Sequence, residues 1–139
     1  MGNWQPIYKA TIYEHGAHRS LAVSNLAPWG QEYVPGKIIR PKIEHSKLFV
    51  TSDFPEWAKS AGPIVVIWRG RGLNPVPSRY ARPGQDWRQF WREHKANPAR
   101  FAIEQDTLFV DAVILDEAVW AGDAVPKESL AIRQIQVSA

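Results

Sequence analysis

The spacing of apolar and polar positions changes several times along the chain, and each change marks an element. Ile7 to Tyr13 is built of β-branched and aromatic residues and predicts a strand, ended by the turn-prone pair His15-Gly16. Leu21-Ala22-Val23 is apolar but brief. Pro28 to Gly36 holds two prolines and two glycines and reads as a loop with at most one helical turn. Lys37 to Pro41 predicts a short strand closed by proline, and Leu48 to Thr51 a better one. Ser52 or Asp53 is then placed to cap a helix with Pro55 in its first turn and Trp57, Ala58 and Ala61 following, until Gly62-Pro63 stops it. Ile64 to Arg69 is apolar on both faces, the pattern of a central strand.

Gly70 to Gly84 carries three glycines and three prolines and predicts a long loop of the kind that serves function. Asp86 and Gln89 form a capping pair for the clearest helix, on which Trp87, Phe90, Trp91 and His94 share one face before Asn97-Pro98 ends it. Thr107 to Leu115 reads as a strand, Asp116 to Ala121 and Pro126 to Leu130 as single helical turns, and Ile132, Ile135 and Val137 as a final strand. About six strands and two or three short helices that do not alternate regularly define an α+β domain, a single one spanning residues 1–139.

Composition narrows the chemistry. With no cysteine among its 139 residues, the chain has no disulfide framework, thiolate zinc site or cysteine nucleophile. It carries no Walker loop, GxGxxG, HExxH or GxSxG motif, and no metal-ligand set is expected. The longest apolar run, Ile64 to Trp68, is too short to cross a bilayer, and the N-terminus has no basic stretch followed by an apolar one. A cytoplasmic protein with no membrane partner is the expectation. The net charge is +3, and basic residues concentrate between Arg69 and Arg100 with tryptophan and tyrosine among them. That region reads either as a solvated basic face or as a surface for nucleic acid. Seven tryptophans exceed what a core of this size needs, which adds the reading of a non-enzymatic binding or inhibitor module engaging a protein or nucleic-acid partner.

Three separated stretches resemble the ADP-ribosyltransferase fold, and in particular the small rifamycin ADP-ribosyltransferases. Tyr13-Glu14-His15-Gly16-Ala17 with Leu21-Ala22-Val23 and Leu26 is similar to the family's Tyr-His-Gly-Thr and Leu-Ala-Ile opening, with Glu14 inserted between tyrosine and histidine. Leu48-Phe49-Val50-Thr51-Ser52, leading towards Trp57 and Ala58, is similar to an Ile-Tyr-Phe-Ser strand before an alanine-containing helix, with Phe49 in the tyrosine's place. Asn97-Pro98, Asp106-Thr107-Leu108 and Val110 to Ile114 are similar to the family's Asn-Pro, Glu-Pro-Leu and Ile-Val-Gly-Val-Val.

The resemblance implies two small packed β-sheets split by a groove that holds NAD as substrate, and transfer of ADP-ribose to an acceptor that is a protein, a small molecule or a nucleic acid. It further implies that Tyr13, His15 and Gly16 bind the cofactor from the first strand, while Phe49 stacks on nicotinamide and Thr51 shares its face. The family's acid follows a central strand, but no Asp or Glu stands between Trp68 and Asp86, which leaves Asp86, Glu104 and Asp106 as candidates for the polarising carboxylate. Each residue has a plainer reading: His15 as a surface histidine, Phe49 as core, Asp86 as a helix cap, Glu104 and Asp106 as solvated acids. The resemblance also requires the first strand to lie beside Leu48 to Thr51, with His15 and Phe49 facing one pocket.

Overall fold

The computed structural model describes residues 2–21 and 31–132. Ala22, Val23 and Leu26 of the first similar stretch, and the expected last strand beyond Ile132, lie outside them. The described chain is mostly β, with one α-helix and three short 3-10 turns. No helix in it is long and apolar enough to cross a membrane.

Nine strands follow in order: β1 (Trp4–Glu14), β2 (Ala17–Ser20), β3 (Glu32–Tyr33), β4 (Ile38–Ile39), β5 (Leu48–Thr51), β6 (Val65–Leu73), β7 (Val76–Arg79), β8 (Ile103–Val110) and β9 (Val113–Ala121). The helix α1 (Trp87–Ala96) lies between β7 and β8. Every strand pairing is antiparallel, and the path runs β4-β9-β6-β1-β5-β8-β7. One edge of β1 pairs with β6 from Trp4 to Ile12. Its other edge is divided, with Tyr8 opposite Thr51 of β5 and Thr11 to Glu14 opposite β2, to which β3 adds.

Two separate packed sheets are therefore replaced by one hydrogen-bonded sheet that curls. β8 and β9 stand towards opposite ends of the path yet are joined by only Asp111 and Ala112. At that bend Leu73 N donates to Ala112 O (2.9 Å) and Asp111 N donates to Leu73 O (2.8 Å), fastening the end of β6 to it. The core reflects the curling, because Ile7, Val50, Val66, Trp68, Val110 and Leu115, from five different strands, share one buried cluster. Trp68 is wholly buried, and its Nε1 donates to Thr11 Oγ1 at 2.9 Å, so the indole pays no unpaired-donor penalty.

The central strand expected at Ile64 to Arg69 is β6, but it continues through Gly70-Arg71-Gly72 instead of entering a loop. A Cβ at Gly70 would lie 2.2 Å from the Ile114 carbonyl oxygen, so glycine here serves close approach of β9 at a register shift and not a turn. Much of the expected Gly70 to Gly84 loop is thus β6 and β7. The helix expected after Ser52 is a 3-10 turn, Glu56–Ala61, without a side-chain cap. Asp116 to Ala121 belongs to β9, where pairing with β6 overrides any helical tendency.

The expected helix is present as α1. The Asp86 carboxylate accepts from Gln89 N at 3.3 Å, and Phe90, Trp91 and His94 are buried against Phe101 and Phe109. Asp86→Ala removes that cap and is expected to cost about 1 kcal/mol, read as a lower urea midpoint with an unchanged slope.

Candidate functional site

The middle of β1 and residues 49–51 of β5 create a groove of about 180 Å³. Tyr8 and Lys9 line it from β1, Phe49 and Thr51 from β5, Glu104 from β8, and Trp57 from the 3-10 turn. Alternation along β5 explains its part: Leu48 and Val50 are buried while Phe49 and Thr51 face the other way, half-buried. Phe49 is held edge-on to Phe109 (4.9 Å) and Trp87 (6.3 Å). Thr51 Oγ1 donates to Asp53 O at 2.8 Å.

Glu104 owes its place to an irregularity in β8. Opposite Pro77 and Arg79, only two positions apart on β7, β8 offers Leu108 and Ile103, so the chain between them bulges. Within the bulge Asp106 adopts φ 67°, the left-handed region that aspartate tolerates better than most residues. The bulge leaves Glu104 and Thr107 on the groove and Asp106 exposed. Burial pushes the Glu104 carboxyl above the ordinary range, against a hydrogen bond from Ser78 that draws it down. Ser78 is itself buried and hydrogen-bonded to Thr107.

Lys9 lies deeper. Its Nζ donates to Phe49 O (2.6 Å) and Ser20 Oγ (3.0 Å) and sits 5.0 Å from the centre of the Tyr33 ring. Only 3% of the residue is exposed, and burial lowers its pKa to about 7. Among the described residues no carboxylate pairs with it, and the segments outside them, 22–30 and 133–139, contain no Asp or Glu. On its far side a slot with about 40 Å³ of free space, room for about one water, is lined by Tyr33, Gln31, Trp87 and Trp91.

The structure brings together Phe49, Thr51 and Glu104 of the expected site residues and leaves the others apart. His15 forms the exposed tip of the β1–β2 hairpin at φ 52°, with Gly16 beside it at φ 78°. The strands β1 and β5 are neighbours, as expected, but they meet at Tyr8 and Thr51. His15 is seven residues further along, about 23 Å at the usual rise of a strand, and lines no hollow shared with Phe49. Tyr13 and Gly16 border a separate hollow of about 160 Å³ beside buried His18, whose Nε2 donates to Ser129 O at 2.8 Å. Asp86 is spent on the cap of α1. Trp91 is buried and Trp87 half-buried, so neither is the exposed anchor that a binding-module reading of α1 requires.

Tyr8, Lys9 and Trp57 are among the groove residues that the sequence reading did not place in a site. Lys9 carried a signal, since in β1 it falls in phase with Ile7 and Thr11, both buried. A lysine at an inward position of a central strand is costly to bury, and it points to a site. Among the described residues no three His, Asp or Glu side chains converge as a metal site. No family model matches the chain, and no curated protein or solved structure matches it.

Proposed function

We propose that the groove over Phe49 takes the nicotinamide end of NAD and that the protein transfers ADP-ribose from it to an acceptor. The observation that carries this reading is the meeting of Phe49, Thr51 and Glu104, three residues from two strands far apart in sequence, around one groove. Phe49 offers a flat apolar face for the pyridine ring, and Thr51 a hydroxyl for the ribose. In this reading Glu104 supplies the carboxylate that stabilises positive charge on the ribose as the bond from C1 to nicotinamide nitrogen breaks, its electron pair leaving with nicotinamide. The acceptor then supplies the nucleophile to C1 and loses its proton. In this reading the first strand acts through Tyr8 and Lys9, not through His15.

The groove's 180 Å³ is below the ~300 Å³ of an ordinary small-molecule pocket. It accommodates the nicotinamide end, and the adenylate half lies along the open surface. The experiment is incubation of the chain with NAD labelled in the adenylate half, alone and with cell lysate. Labelled product or free nicotinamide is expected from the native chain, and His15→Ala is expected to keep it. Neither product from the native chain, or its loss in His15→Ala, overturns the reading.

A second reading, a non-enzymatic module that engages an anionic partner, rests on a different observation: a wide basic groove on the face formed by α1 and the segment before β5.

A further inference from the structure

Segment 42–47 and the solvent side of α1 together build a strongly basic surface. A groove of about 570 Å³ runs between them, lined by His45, Lys47, Arg79, His94 and Lys95 among others. His45 also borders an adjoining hollow with Lys42, Arg88 and Arg92, and Lys95 Nζ meets His45 Nδ1 at 3.0 Å where the two join. Over both hollows the lining holds six cations (Lys42, Lys47, Arg79, Arg88, Arg92 and Lys95) against two carboxylates, Glu44 and Asp111. That excess of four exceeds the +3 of the entire chain, so the rest of the protein is slightly acidic and the charge is gathered here. Asp111 is taken up by Lys47 and by Asn74 Nδ2 at 3.0 Å, while Glu44 is 85% exposed at the rim.

We infer that this surface binds the phosphate backbone of a nucleic acid without reading its sequence. Arg88, Arg92 and Lys95 recur at i, i+4 and i+7 on α1, a row about 10 Å long. The row is long enough to lie against neighbouring phosphates of one strand, and each cation set against a phosphate releases a counterion. An acidic protein partner fits less well. Protein interfaces concentrate their energy in accessible aromatic anchors, and here Trp91 is buried and Trp87 half-buried. Neither indole is open for base stacking, which leaves the charges as the recognition element. This inference does not depend on the NAD reading, because the row and the Phe49 groove have no residue in common.

The test is fluorescence anisotropy with a labelled single-stranded oligonucleotide of mixed sequence, titrated from low to physiological salt. Arg88→Gln, Arg92→Gln and Lys95→Gln are combined in one variant, and Lys37→Gln with Lys127→Gln forms a control of other surface cations. The native chain and the control are expected to bind with an affinity that falls steeply as salt rises. The triple variant is expected to bind at least about tenfold more weakly, with the slope of log affinity against log salt reduced by about 2. An unchanged thermal midpoint shows that the triple variant is folded; if it is not, Lys42→Gln with Arg92→Gln takes its place. Native-like affinity and slope in the folded variant overturn the inference. Polyglutamate binding as tightly as the oligonucleotide at the same site overturns it in favour of an acidic protein. NAD titration of the same variant separates this result from the fate of the NAD reading.

Discussion

Glu104→Gln is expected to leave NAD binding nearly unchanged and to lower the rate of nicotinamide release by about 10²–10³-fold, the usual loss when a group stabilising transition-state charge is removed. Glutamine keeps the length and hydrogen-bonding capacity of the side chain and removes only the charge that opposes the developing cation on the ribose. The pH profile offers a second readout. Only the ionised carboxylate is useful, and burial holds the Glu104 carboxyl above its ordinary range. Release should therefore rise with pH through a midpoint above that of an exposed glutamate. The hydrogen bond from Ser78 pulls the other way, so Ser78→Ala should move the midpoint higher still. A pH-independent rate, or a Glu104→Gln variant as fast as the native chain, removes Glu104 from the proposed chemistry.

The second large effect is on stability and comes from Lys9. Its pKa falls from 10.5 in the unfolded chain to about 7 in the folded one, through burial. Below pH 7 both states hold the proton and the penalty for burying the ammonium is constant. Between pH 7 and 10.5 the folded state has shed its proton while the unfolded state keeps it, so the unfolded state binds more protons and stability rises with pH. Between pH 7 and about 9.5 the gain is roughly 3 kcal/mol, at 1.36 kcal/mol per unit of pKa. Burial holds the Tyr33 phenol protonated far above its usual 10. Ionisation of that phenol in the unfolded chain therefore lowers stability again above pH 10. Urea unfolding at pH 7 and 9.5 is expected to show the rise in the native chain and its loss in Lys9→Met. A native curve that is flat or falling over that range contradicts the placement of Lys9.

The parts of the molecule legible in the sequence were those that local chemistry decides. Asp86 capping α1, the inward face of Phe90, Trp91 and His94, and the central strand beginning near Ile64 follow from spacing and capping alone. What was not legible depends on long-range pairing. Gly70 and Gly72 look like loop residues until β9 is laid against them, and Asp116 to Ala121 looks like a helical turn until β6 pairs with it. The site divides in the same way. That Phe49 and Thr51 share a face was legible because alternation along a strand is local. That Glu104, and not Asp86 or Asp106, borders the groove could not be read from the sequence, because the β8 bulge that directs it there exists only opposite β7. His15 was misplaced for the same reason: its distance from Phe49 depends on where β5 crosses β1, and the crossing is at Tyr8.

The central claim is that the Phe49 groove holds NAD, and calorimetric titration of NAD into the native chain and into Phe49→Leu tests it most directly. Leucine keeps an apolar side chain beside Phe109 but removes the flat face, and a thermal scan checks that the variant is folded. One equivalent of NAD is expected to bind the native chain, and the loss of a stacking pair worth about 0.5–1.5 kcal/mol should weaken binding by up to about tenfold in Phe49→Leu. No heat of binding from the native chain at millimolar NAD, or equal affinity in the two proteins, contradicts the account.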